Sequence, residues 1–381
     1  MKPISSPVSG TFRLSEQGPS LRTFSGLDGW LVLAVLLLSL IGLATVHSAS
    51  TELTVDYLPR QAMWLGFGAL GLLLVLLLDY HLLVDLAIPL YALGLGLLAL
   101  VLWIGEGPGG TRSWLDIAGV RLGQPAELAK LVTVLLLTRY LSNAGRKFLG
   151  LRQILTCGAI VGLPMALIVL QPDLGSAAMF VPMLAGALLI AGIRLRILLA
   201  VALVVLAIGG LAWTFGMQDY QRDRVRTFLS PESDPLGAGY QVRQSKIAVG
   251  SGELTGRGYG QGTQSQLRFL PARHTDFIFS VLAEEWGFLG VATVLGLYAL
   301  YLYSALRIAT RARDRAGIFL VVGFVSVFGF HVLYNTAMVV GLTPITGIPL
   351  PFLSYGGSFM ILNLMGTGLI LNVDIRRYVN R

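Results

Sequence analysis

Three acids open apolar stretches of this chain, and their placement is the first sign of chemistry. Glu127 follows Gln124-Pro125-Ala126 and precedes Lys130. Asp173 closes Gln171-Pro172-Asp173. Asp276 closes His274-Thr275-Asp276, with Glu284 and Glu285 further along the same apolar stretch. Each has an ordinary structural account. Proline and acids suit first turns of helices, where amides are unpaired and the dipole is positive. Asp173 and Asp276 therefore read equally as caps, and Glu127 with Lys130, at i and i+3, reads as an ion pair on one face. The chemical account is that a carboxylate can take a proton from a hydroxyl, while nearby cations stabilise charge on a departing group. A base beside cations is held ionised and is a weaker base, so such a carboxylate must stand apart from the arginines.

The elements that carry these acids follow from composition. Of 381 residues, 55% are hydrophobic and 13% are charged, against about 25% charged in a soluble domain. Apolar runs near the length of a bilayer span, about 20 residues, recur along the chain. They predict an all-α polytopic membrane protein with ten transmembrane helices, near 30–48, 60–78, 82–104, 124–141, 152–170, 174–192, 196–215, 276–304, 316–341 and 353–374. With the N-terminus cytoplasmic, sixteen of the 28 Lys and Arg fall inside, and eight more lie in the single long segment 216–275. Long loops carry little weight in orientation, so the bias places both termini in the cytoplasm. Residues 1–27 are then a cytoplasmic tail, 28–215 hold helices 1–7, and 216–275 form one large extracytoplasmic loop between helices 7 and 8. Helices 8–10 occupy 276–375, and 376–381 are a second cytoplasmic tail. The stretch after residue 27 reads as a retained span, since a secretory signal has a shorter apolar region nearer the start. The net charge of +8 reads as membrane orientation and implies no nucleic-acid partner. Cys157 stands alone in an apolar run, and the four histidines show no metal-ligand spacing.

This orientation brings all three acids to the outer level of the membrane, beside a basic loop. Six glycines within 250–262 read as flexibility that lets the loop move during product release; no Walker pattern is present. The stretch from Leu342 to Ser358 is broken by prolines and glycines. It is either a connecting loop or irregular backbone lining a cavity. Outside the cytoplasmic membrane there is no nucleotide pool, so an enzyme there needs a donor already activated, and a lipid diphosphate fits. Arg222, Arg224, Lys246 and Arg273 are candidates to hold it, each equally readable as a solvated loop charge. A flippase for an anionic lipid, or a scaffold without catalysis, fits the same features. Against a transport path, the cytoplasmic halves of the helices carry few acids.

Longer motifs narrow the choice. Residues 268–290, which include Arg273-His274-Thr275-Asp276-Phe277-Ile278-Phe279 and Glu284-Glu285-Trp286-Gly287, resemble the hallmark of the SEDS family of cell-wall polymerases. So do Gln-Pro-Asp-Leu-Gly-Ser at 171–176 and Pro-Leu-Pro-Phe-Leu-Ser-Tyr-Gly-Gly-Ser at 349–358. The likeness runs from about residue 28 to 375. The stretches at 230–240, 244–248 and 262–267 resemble the branch that works in cell elongation. The resemblance implies a peptidoglycan glycosyltransferase of the bacterial inner membrane, with its active site facing outward. It would polymerise lipid II onto a nascent glycan strand beside a class B penicillin-binding protein, a transpeptidase. It implies Asp276 as catalytic base. His274, Thr275 and Ser354 join Arg222, Arg224, Lys246 and Arg273 as the expected substrate-binding set. Glu127, Lys130, Asp173, Glu284 and Glu285 would shape the cavity. It also implies dependence on a divalent cation, Mg or Mn, for which no ligand set is legible. Three positions depart from the pattern: Ala126 for a usual Ser, Ala272 for a usual acid, and Ser113 for a usual Arg.

Overall fold

The computed structural model describes residues 26–51, 56–105, 113–117, 120–144, 149–194, 196–197, 199–200, 203, 210, 219–230, 232, 234–235 and 237–379. Helices α1 (Gly29–Ser50), α2 (Leu58–Leu77), α3 (Tyr80–Asp85) and α4 (Ala87–Ile104) come first. An antiparallel hairpin of β1 (Leu115–Ile117) and β2 (Val120–Gly123) follows, which no pattern in the sequence anticipates. Then come α5 (Pro125–Asn143), α6 (Leu151–Leu170), α7 (Leu174–Ala178), α8 (Phe180–Ile190), α9 (Asp219–Leu229), α10 (Ala238–Ser251) and α11 (Thr263–Gln266). Three long helices close the chain: α12 (Ile278–Arg311), α13 (Arg315–Val339) and α14 (Gly357–Val379). Among the described residues seven helices, α1, α2, α4, α6, α12, α13 and α14, are long and apolar enough to cross a membrane. The chain is a multi-pass membrane protein. The expected tail at 1–27 and helix at 196–215 fall almost wholly outside the described residues.

Prolines explain where expected helices divide. The third, expected as one piece, breaks at Leu86, because Pro89 has no N–H for the carbonyl of Asp85; Arg139 donates to that carbonyl instead. The sixth breaks at Met179, because Pro182, four residues after Ala178, leaves the carbonyl of Ala178 without its helical donor. The last helix starts later than expected and runs on to Val379, so Arg376 and Arg377 belong to it and not to a free tail.

The eighth expected helix is kinked, and the kink corrects the reading of the glycine-rich loop. Gly287 has φ 63° and ψ −161°, which breaks the helical ladder. The loop before α12 repairs it. Phe288 and Leu289 donate to the carbonyls of Glu253 and Leu254 at 2.9 and 3.1 Å, while Arg257 and Gly258 donate to those of Glu284 and Glu285 at 3.0 Å. The approach is so close that a Cβ on Gly252 would lie 1.9 Å from the carbonyl oxygen of Ala283, and one on Gly256 2.1 Å from that of Glu285. Gly252 and Gly256 thus serve contact and not freedom, while Gly250 and Gly260 meet nothing within 4 Å.

Long-range packing gathers the bundle around α13. It lies against α5, α8 and α12, while α14 runs along α2, and α12 along α1. Tyr298, Tyr301, Phe328 and Phe352 form a buried aromatic knot, with Tyr301 stacked on Phe328 at 4.1 Å. The ends of the bundle differ. At one end the N-termini of α5, α12 and α14 meet the C-termini of α1 and α13. At the other end four aspartates gather at helix termini, where the sequence suggests a region with few acids. Asp28 caps α1 and pairs with Arg307, Asp374 pairs with Arg377, and Asp79 pairs with Arg376. Asp314 caps α13 and accepts from His81, whose other ring nitrogen meets Asp79. These acids tie helix ends together and do not line a path through the bundle.

Candidate active site

A cavity of about 260 Å³, with both polar and apolar lining, opens at the first end, between α5, α7, α9, α13 and the proline-rich segment before α14. Its floor is the pair expected from the sequence. Lys130 Nζ donates to Glu127 Oε1 at 2.8 Å, one turn apart on α5, and both residues are buried. A third partner was not foreseen. His331 of α13 lies 3.1 Å from Lys130 Nζ through Nε2 and 3.1 Å from the Pro349 carbonyl through Nδ1. One tautomer satisfies both contacts, with Nδ1–H donating to the carbonyl and Nε2 accepting from the ammonium. Phe359 adds a ring face 5.7 Å from the ammonium.

Asp173 and Asp276 prove to be different kinds of residue. Asp173 is a cap: its carboxylate accepts from Ser176 N at 3.0 Å, Ser176 Oγ at 2.8 Å and Gln124 Nε2 at 2.7 Å. It lines the cavity with its oxygens already committed. Asp276 is not a cap. The N-cap of α12 is Phe277, with no side-chain hydrogen bond. Before it the chain makes a tight turn in which the Ala272 carbonyl, at a residue with φ 48°, accepts from the amides of Thr275, Asp276 and Phe277. That turn aims the Asp276 carboxylate away from the helix start and towards Gly347, where a Cβ would lie 3.5 Å from Asp276 Oδ2. Gly347 and Arg224 both line the cavity, so the carboxylate stands at its rim. Burial pushes the Asp276 carboxyl up to about 6, against opposing pulls from the Thr275 hydroxyl and the Arg224 guanidinium. Arg224 is thus near enough to act on the carboxyl, and burial outweighs it.

The remaining candidates separate by place. Of the four loop cations, Arg224 reaches the cavity, and Arg222 lies on the same helix, half-buried. Lys246 is exposed on α10 and lies over Gly341, away from the cavity lining. Arg273 is buried and donates from Nε to the Ala49 carbonyl at the end of α1. His274 stacks on Tyr57 at 4.5 Å, and burial, then the charge of Arg273, lowers its imidazole below the usual value. Thr275 and Ser354 form a brace: Ser354 Oγ donates to the Thr275 carbonyl at 2.6 Å and accepts from Leu350 N at 2.8 Å. Glu284 is spent on α11, accepting from the amides of Gln264 and Ser265. Glu285 accepts from Ser48 at the end of α1. His331 and Asn335 of α13, and Gln124 just before α5, were missed by sequence reasoning. Polar side chains four apart inside an apolar span were the available signal.

These features define a class: a multi-pass helical membrane protein with a buried Lys–Glu–His floor and an uncapped aspartate at the rim of its cavity. The chain belongs to the FtsW/RodA/SpoVE family of cell cycle proteins, which matches residues 29–379. It is 36% identical to the peptidoglycan glycosyltransferase MrdB of Escherichia coli K12, over 92% of this chain and 94% of that protein. Its fold is similar to the crystal structure of the rod shape determining protein RodA of Thermus thermophilus, with TM-score 0.70, 33% identity and coverage of 92% and 98%. It is also similar, with TM-score 0.80, 34% identity and the same coverage, to a chain from a structure of a peptidoglycan synthase complex that coordinates polymerization and crosslinking.

Proposed function

We propose that this chain is a peptidoglycan glycosyltransferase that polymerises lipid II into β-1,4 glycan strands for cell-wall elongation. The observation that carries the reading is Asp276: half-buried, at the cavity rim, and free of the capping role that would explain an acid there. With its carboxyl near 6, it is mostly ionised at neutral pH and a stronger base than an ordinary carboxylate. It takes the proton of the acceptor 4-hydroxyl. That oxygen attacks the anomeric carbon of the growing strand as the bond to the diphosphate breaks. Undecaprenyl diphosphate leaves with the electron pair, and the new linkage has inverted configuration. Arg224, with Arg222 on the same helix, supplies positive charge where the diphosphate oxygens gather. The buried Lys130–Glu127 pair fixes the floor, and Asp173 fixes the wall.

In this reading the chain lies in the bacterial inner membrane with ten helices and both termini cytoplasmic. Residues 216–275 and the cavity face outward, where lipid II is presented. The partner is a class B penicillin-binding protein, a reading supported by the likeness to a complex that couples polymerization to crosslinking. A resident divalent ion does not fit the side chains: among the described residues no group of three or more His, Cys, Asp or Glu is placed to hold one. Dependence on Mg or Mn would come from an ion carried on the diphosphate, which needs one or two carboxylates at most, and no step above runs through it.

Reconstitution decides between polymerase and flippase. The purified chain with its transpeptidase partner, placed in liposomes with lipid II, is expected to give glycan polymer. Rapid translocation of lipid II with no polymer would overturn the reading.

A further inference from the structure

His331 and Asn335 lie one turn apart on α13, in a span that is otherwise strongly apolar. The proton transfer and glycosyl transfer use neither side chain. Asn335 is fully buried, and its amide gives one hydrogen to the Asp276 carbonyl at 2.9 Å and the other to the Ile348 carbonyl at 2.7 Å. His331 makes the matching bridge from Lys130 to the Pro349 carbonyl. Both ties end on neighbouring peptides of the proline-rich segment. Residues 344–350 form no helix or strand, so what they are tied to sets their position. Gly347, next to the tied peptides, faces the Asp276 carboxylate.

We propose that Asn335 is a positioning residue, which holds Asp276 and the cavity wall in register with the Lys130–Glu127 floor, with His331 as the second tie. The inference rests on the reading of Asp276 as the base. Magnitudes separate positioning from mere support. Polar side-chain hydrogen bonds inside membrane proteins contribute little on average, a small return for burying an amide. A misplacement of about 1 Å at a reacting group costs about 100-fold in rate.

The test is steady-state polymerisation of lipid II by the purified full-length chain with its transpeptidase partner, alongside thermal unfolding in the same detergent. Asn335→Leu, which fills the volume without donors, is expected to lower kcat about 10- to 100-fold, leave KM for lipid II within about threefold, and shift Tm by only a few degrees. Asn335→Ser keeps one donor and recovers part of kcat; it carries the test if the leucine variant fails to fold. His331→Leu combined with Asn335→Leu costs less than the product of the single losses, since the two ties hold neighbouring peptides of one segment. Polymer from the wild type with kcat unchanged in Asn335→Leu, or a loss confined to KM, overturns this proposal alone. No polymer from the wild type overturns the reading of Asp276 and the proposal with it.

Discussion

Charge at single residues sets what the site can do. Because burial lifts the Asp276 carboxyl to about 6, the base is lost as pH falls through that value. Polymerisation is expected to rise with pH through about 6 and level off above 7; a limb near 4, the ordinary carboxylate value, would mean that the carboxylate is not held as described. The floor pair makes a second prediction. Removing one partner of a buried pair costs about 3–5 kcal/mol, because the other charge stays buried without its partner. Lys130→Met should therefore lower Tm sharply, and adding Glu127→Gln should recover much of the loss. The sequence displayed these acids plainly, since few charges compete with them in so apolar a chain. Helix-start position alone did not separate Asp173 from Asp276; only the family resemblance did. Both follow the same kind of helix-start pattern, and only the turn at Ala272 makes one a cap and the other free to react.

At the scale of elements, irregular segments and not the long helices bring the site together. The proline-rich stretch before α14 is fixed by α13, by Tyr298, and by the brace of Ser354 to Thr275. The glycine-rich loop is fixed by the break in α12. Gly256→Ala should destabilise this region, since Gly256 has φ 82° and its added carbon would meet the Glu285 carbonyl at 2.1 Å. Limited proteolysis within 250–262 is expected to speed up in that variant; an unchanged rate would restore the loop to a flexible connector. Helix positions were legible because hydrophobic runs define spans. Their breaks at Pro89 and Pro182 could have been read from proline chemistry. The use of Gly252 and Gly256 as packing surface could not, since glycine content alone does not say what approaches it.

The whole molecule is organised by its two ends, one holding the cavity and the other a network of ionised side chains. Hydrogen bonds to Asp314 and Asp79 raise the His81 imidazole to about 9. Burial pushes the Asp314 carboxyl up, but bonds from His81, the Gly317 amide and Tyr80 outweigh it and hold it at about 2. Since the folded His81 value lies above the ordinary one near 6.5, its contribution is full below about pH 6.5 and lost as pH rises through 9. For Asp314 it is full above about pH 4 and lost as pH falls through 2. Tm in detergent is therefore expected to fall between pH 7 and 9, and His81→Gln should flatten that decline. The sequence marked these residues only as basic topology signals, because the aspartates that answer them come from four separate helix ends. What the fold serves is decided at Asp276. The most direct measurement is lipid II polymerisation by Asp276→Asn with its partner, beside lipid II binding and Tm for the same preparation. The account predicts a variant that folds and binds lipid II but makes no polymer; polymerisation within tenfold of the wild type would contradict it.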